Sequence, residues 1–147
     1  MVKSQMSNVQ KGFTLIELLL YVSIVGAMIL SVSAILPLLM QSRVKNQTIA
    51  EVEQQGIQVM QLITQTGRNA TDINFTSAFD LSGGTIRQNS IALTNSRIVA
   101  SNLTFTNLSR AGTHGTIRIQ FALTHINPSG RNEYDYNKTF YGTASLR

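Results

Sequence analysis

The sequence predicts an α+β protein in which a long N-terminal α-helix packs on a small antiparallel β-sheet head. Three observations predict it. Residues 13–40 are almost wholly apolar, with one charge at Glu17. Residues 41–67 are rich in Gln and carry apolar residues at helical spacing. Residues 68–147 are rich in Thr, Asn, Ser and Gly, the composition of short strands joined by turns.

The apolar run comes first. Lys3 and Lys11 precede it with no acid beside them. A bilayer core takes about 20 apolar helical residues, so residues 13–40 are long enough to cross one. The lysines should stay on the cytoplasmic side while the remainder is exported. Two processing schemes are open. An ordinary secretory signal has an apolar region of about 7–15 residues and is removed at small residues, which Ser31-Val32-Ser33-Ala34 would supply. The other scheme cuts before the run, at Gly12, and keeps the helix.

Glu17 bears on the choice. A carboxylate deep in a bilayer costs roughly 3 kcal/mol and calls for a partner or a function. A discarded signal has no use for it. Cutting after Gly12 creates a cation, the free α-amine of Phe13, one helical turn away. In an assembly, Glu17 of one subunit could pair with that amine on its neighbour and fix axial register. The bland reading is an acid near the membrane surface, favoured by the helix N-terminus.

Pro37 lies inside the run. It removes a helical hydrogen bond and crowds the preceding turn, so a kink is expected there, or a helix that ends and restarts. Beyond Arg43, apolar residues mark one helix face: Ile49, Val52, Gly56, Val59/Met60 and Ile63. Gln47, Glu51, Gln54, Gln58, Gln61 and Gln65 mark the other. Gly67 is the expected helix stop. A continuous helix over residues 13–67 would span roughly 80 Å.

The head reads as strands at Thr85–Arg87, Ser90–Thr94, Arg97–Val99, Asn102–Thr106 and Thr116–Thr124, with a last one over Glu133–Phe140. Ile117, Ile119, Phe121 and Leu123 alternate, so they should line one buried face. Ser82-Gly83-Gly84, Arg110-Ala111-Gly112 and Asn127-Pro128-Ser129-Gly130 are turn punctuation. The domain plan is therefore 1–12 as a leader, 13–67 as the helix and 68–147 as the head.

Composition removes several function classes. There is no cysteine, hence no disulfide, thiolate metal site or cysteine nucleophile. The chain carries +5; without residues 1–12 it has 10 basic and 7 acidic residues, or +3. The basic residues are scattered and form no stripe with interleaved aromatics, so nucleic acid is not an expected partner. No phosphate loop, HExxH or GxSxG occurs, and no enzymatic activity or cofactor is expected. His114 and His125 have no ligand at metal-binding spacing. Asp72, Asp80, Glu133 and Asp135 could supply oxygens to calcium but are not spaced as an EF-hand; ordinary surface acids are the simpler reading. The Asn-x-Ser/Thr triplets at Asn46, Asn69, Asn74, Asn102, Asn107 and Asn137 matter only if such sites are glycosylated. Tyr134, Tyr136, Phe140 and Tyr141 could form a contact surface, or serve the β edge and core.

Lys11-Gly12-Phe13-Thr14-Leu15-Ile16-Glu17 resembles the processing site of type IV prepilins and of type II secretion and competence pseudopilins. The resemblance covers about 30 residues; a leader starting at Met6 would also serve. It implies that prepilin peptidase cuts after Gly12 and that Phe13 is N-methylated. It further implies that Glu17 is the assembly carboxylate. Implied partners are other pilin or pseudopilin subunits, the peptidase and an inner-membrane assembly platform, with a separate ATPase. The place would be the cytoplasmic (inner) membrane, single-pass with the head outside, and then a periplasmic or extracellular filament. The family often carries a helix-breaking proline, commonly nearer the start than Pro37. The sheet-rich head loosely resembles minor pseudopilins of the J class, which favours a minor structural subunit. The rival class is a secreted or membrane-anchored β-domain that binds a ligand behind an ordinary signal or anchor.

Overall fold

A computed structural model describes residues 12–110 and 115–147. The leader residues before Gly12, with Lys3, Met6 and Lys11, lie outside the described residues, as do His114 and part of the Arg110-Ala111-Gly112 turn. One α-helix, α1, runs Leu15–Asn69. The chain divides into two compact units, Met1–Met40 and Gln41–Arg147.

In the first unit α1 is exposed from Leu15 to Met40, except at the half-buried Gly26. Ser23 and Ser31 donate their hydroxyls to the carbonyls of Leu20 and Ala27, at 2.8 and 2.9 Å. These two hydroxyls are satisfied within the helix itself. Helical structure continues through Pro37, so the helix does not end there and restart.

In the second unit the buried residues of α1 are Thr48, Val52, Gly56, Val59, Ile63 and Gly67. Their spacing follows the 3.6-residue period, as the apolar stripe predicts. Gly67 is not a stop. Helix α1 ends at Asn69, and Gly67 is a packing position, where a Cβ would lie 2.9 Å from both Ala144 and Phe75. Glu51, placed by sequence on the wet face, is half-buried. It accepts a 2.7 Å hydrogen bond from Asn95 Nδ2.

The head contains two three-stranded antiparallel sheets rather than one. The first joins β1 (Phe79–Ser82), β2 (Thr85–Gln88) and β3 (Ile91–Ala92) in that order. The second joins β4 (Ile98–Asn107), β5 (Thr116–His125) and β6 (Asn137–Ser145). Gly83 and Gly84 both have positive φ, 59° and 73°, so they close the β1–β2 hairpin as a two-residue turn. Asn89 and Ser90 do the same between β2 and β3, which shortens the predicted Ser90–Thr94 strand to two residues. Strand β1 alternates apolar and polar residues, Phe79-Asp80-Leu81-Ser82, but is only four residues long and is not among the predicted strands; the short 3-10 helix Ile73–Ala78 precedes it.

The two predicted strands Arg97–Val99 and Asn102–Thr106 are one strand, β4, with a bulge. Register shifts between Ser101 and Thr104, and Asn102 takes φ 55°. The bulge moves the inward residues from even to odd numbers: Ile98 and Ala100 before it, Leu103 and Phe105 after it. Strand β5 matches its prediction. Ile117, Ile119, Phe121 and Leu123 are all at most 1% exposed. The last strand starts later than expected. Glu133 and Tyr134 lie in a second 3-10 helix, Asn132–Tyr134. It is held from α1, where Lys45 Nζ donates to the backbone oxygens of Asn132, its first residue, and Asp135, its C-cap. Strand β6 then runs on past Phe140 to Ser145.

The core lies between the second half of α1 and the sheets. Phe121 stacks on Phe140 at 5.4 Å, and the Phe140 ring occupies the space over Gly56. At the rim, Glu53 of α1 accepts hydrogen bonds from Lys138 Nζ at 2.7 Å and Tyr136 Oη at 3.2 Å. The bond to Glu53 holds the Lys138 ammonium above the ordinary lysine range, opposed by partial burial. Burial and the same carboxylate raise the Tyr136 phenol as well. Both shifts favour the protonated form in the fold. The stability they add is complete below the ordinary lysine and tyrosine values and is lost as pH rises through the raised ones. Lys138→Met should therefore flatten the alkaline limb of a stability-versus-pH curve, measured by denaturant unfolding in detergent. An unchanged slope would remove this clasp from the account.

Candidate processing and assembly site

Gly12, Phe13 and Thr14 precede the helix and are exposed. A Cβ on Gly12 would meet nothing within 4 Å among the described residues. The bond after Gly12 is in non-helical backbone ahead of α1. Thr14 starts the helix: its carbonyl accepts the amide of Leu18 at 3.2 Å. Its position is that of an N-cap.

Phe13 is 72% exposed, and its ring meets Tyr21 edge-on at 5.9 Å. Glu17 and Tyr21 are four residues apart and share one helix face. Glu17 is the third residue of α1, in the first turn. Thr14-Leu15-Ile16-Glu17 also has the form of a capping box, in which the acid would bond its own helix start. That pattern was legible in the sequence and adds a local role to weigh. Among the described residues, however, the Glu17 carboxylate has no hydrogen-bond or ion-pair partner, so the box is not closed. The carboxylate is exposed on an apolar helix.

The other residues singled out from sequence do not come together. Asp72 caps the helix at Ile73, Asp80 pairs with Arg87 at 3.0 Å, and Glu133 pairs with Arg131. No group of three metal-ligating side chains occurs among the described residues. The His125 side chain is 9% exposed, stacks on Tyr134 and places Nε2 3.8 Å from Glu51. Of the four aromatics near the end of the chain, Phe140 is buried, Tyr134 and Tyr136 are half-buried, and Tyr141 is 67% exposed.

Among the described residues, one helix is long and apolar enough to cross a membrane, and none of its most apolar stretch is buried. Together with the open glycine before it, this fits a membrane-anchored, single-pass protein. Residues 7–33 match the family described as the prokaryotic N-terminal methylation motif. The chain therefore carries the type IV pilin and pseudopilin signature, which goes with a structural subunit, a prepilin peptidase and assembly with other pilin subunits. Comparison with curated proteins and with solved structures finds no match to this chain.

Proposed function

We propose that this chain is a minor structural subunit of a type IV pilus, type II secretion pseudopilus or competence filament. It is made as a prepilin, inserted with Lys3 and Lys11 on the cytoplasmic side, cut between Gly12 and Phe13, and methylated on the Phe13 amine. The apolar helix is first the membrane anchor and then part of the filament core, so it is retained. Glu17 pairs with the Phe13 amine of a neighbouring subunit. Pro37 gives the helix a point of bending during extraction. An inner-membrane platform and a separate ATPase drive assembly, and the head faces the periplasm or the exterior.

The observation that carries this reading is the methylation motif over residues 7–33, with Gly12 open before the helix. The test is the intact mass and N-terminal residue of the full chain made with and without a prepilin peptidase. A methylated chain beginning at Phe13, seen only with the peptidase, is the expected result. Gly12→Val should abolish it, leaving the leader attached. A soluble chain beginning near Ala34 would overturn the reading in favour of a secreted β-domain.

A further inference from the structure

Strand β6 is an edge strand, and its outer side is unpaired along Thr139–Ser145 among the described residues; just beyond its end Arg147 N donates to Ala70 O at 3.1 Å. The β5–β6 register pairs Phe121 with Phe140 and Thr116 with Ser145 without interruption. His125 N donates to Tyr136 O at 2.9 Å, and Leu146 N donates to Gly115 O at 2.7 Å. Hydrogen bonding in an antiparallel ladder alternates, so the even-numbered residues of β6 face β5. The amides and carbonyls of Thr139, Tyr141, Thr143 and Ser145 then point away from the sheet. Edge strands are normally blunted by charge, proline or a bulge. Residues 139–145 contain neither a charge nor a proline, and their pairing with β5 has no bulge. Lys138, just before them, is engaged with Glu53.

A groove of about 740 Å³ runs beside this edge, between β6 and α1. Ile57, Met60 and Phe140 line it with apolar surface, and Gln65 and Arg68 add polar groups. Arg68 is exposed and has no acid partner among the described residues. We propose that the β6 edge and this groove take an added β-strand from a partner polypeptide, one apolar side chain entering the groove and an acidic residue meeting Arg68. Backbone bonds at the edge supply the attachment; the groove and the guanidinium set register and charge preference. The inference concerns the second unit alone and stands apart from how the N-terminus is processed.

The test uses the full chain in detergent micelles and a blocked peptide of about eight residues, alternating valine and threonine and ending in aspartate. Binding is followed by fluorescence anisotropy. Thr143→Pro removes one outward donor and leaves the β5–β6 ladder intact, because the Thr143 amide faces away from β5. Circular dichroism and thermal unfolding check that the variant is folded. Measurable binding to the parent chain is expected, weakened about tenfold by Thr143→Pro, by Arg68→Gln, or by N-methylating the peptide backbone. No binding to the parent chain overturns the proposal. Binding that Thr143→Pro and backbone methylation leave unchanged overturns it too, since that peptide would not be adding as a strand.

Discussion

Gly56→Val is expected to lower the stability of the second unit by about 3 kcal/mol, a large part of the 5–15 kcal/mol that holds a domain folded. Two effects oppose each other. Valine gains a few tenths of a kcal/mol of helix propensity over glycine. Against this, a Cβ at position 56 would lie 2.0 Å from the Phe140 ring tip. The ring is the far end of a side chain, but it has little freedom to move. It is 9% exposed and stacked on Phe121. Overpacking therefore wins. The measurement is urea unfolding in detergent, run as a cycle with Phe140→Leu. The smaller residue opens the space that valine needs, so the double variant should be more stable than the two single effects predict by more than about 1 kcal/mol. Additive losses, or a Gly56→Val chain as stable as the parent, would show that the ring does not fill this space.

The same contact explains what the sequence conceals. Strand β5 was legible because every inward residue is large and apolar. Strand β6 was misplaced because its inward positions after Phe140 are Gly142 and Ala144, which carry no apolar signal. They are small because α1 lies close: a Cβ on Gly142 would lie 2.3 Å from Met60 Sδ, and Gly67 packs against Ala144. Glycine in the helix and small residues in the strand are two halves of one close approach, and neither half reads as core by itself. The β4 bulge hid in the same way, by changing the parity of the inward residues, and Asn102 with its positive φ is the only local hint. The N-terminal methylation motif was far more legible, because it is one short run of residues and needs no tertiary contact to be seen.

Glu17→Gln is expected to be inserted, cut and methylated like the parent chain, yet to be excluded from filaments. The choice of glutamine separates the two roles open to Glu17. In a capping box, glutamine serves the helix start as well as glutamate does. If capping were the role, the variant would assemble normally. A paired carboxylate cannot be replaced in this way. Removing one partner of an ion pair in a low-dielectric bundle leaves the other charge uncompensated and costs about 3–5 kcal/mol. That corresponds to an association constant lower by about two to nearly four orders of magnitude per contact. The change also moves the balance toward the bilayer, since an uncharged helix is cheaper by roughly 3 kcal/mol to keep there. Both terms act in the same direction. The measurement is the fraction of tagged variant that co-sediments with filaments when wild-type partner subunits are present, with the N-terminal mass checked on the same sample. Glu17→Asp keeps the charge on a shorter arm and should retain part of the signal. Parent-level incorporation of Glu17→Gln would return the carboxylate to a local role at its own helix start.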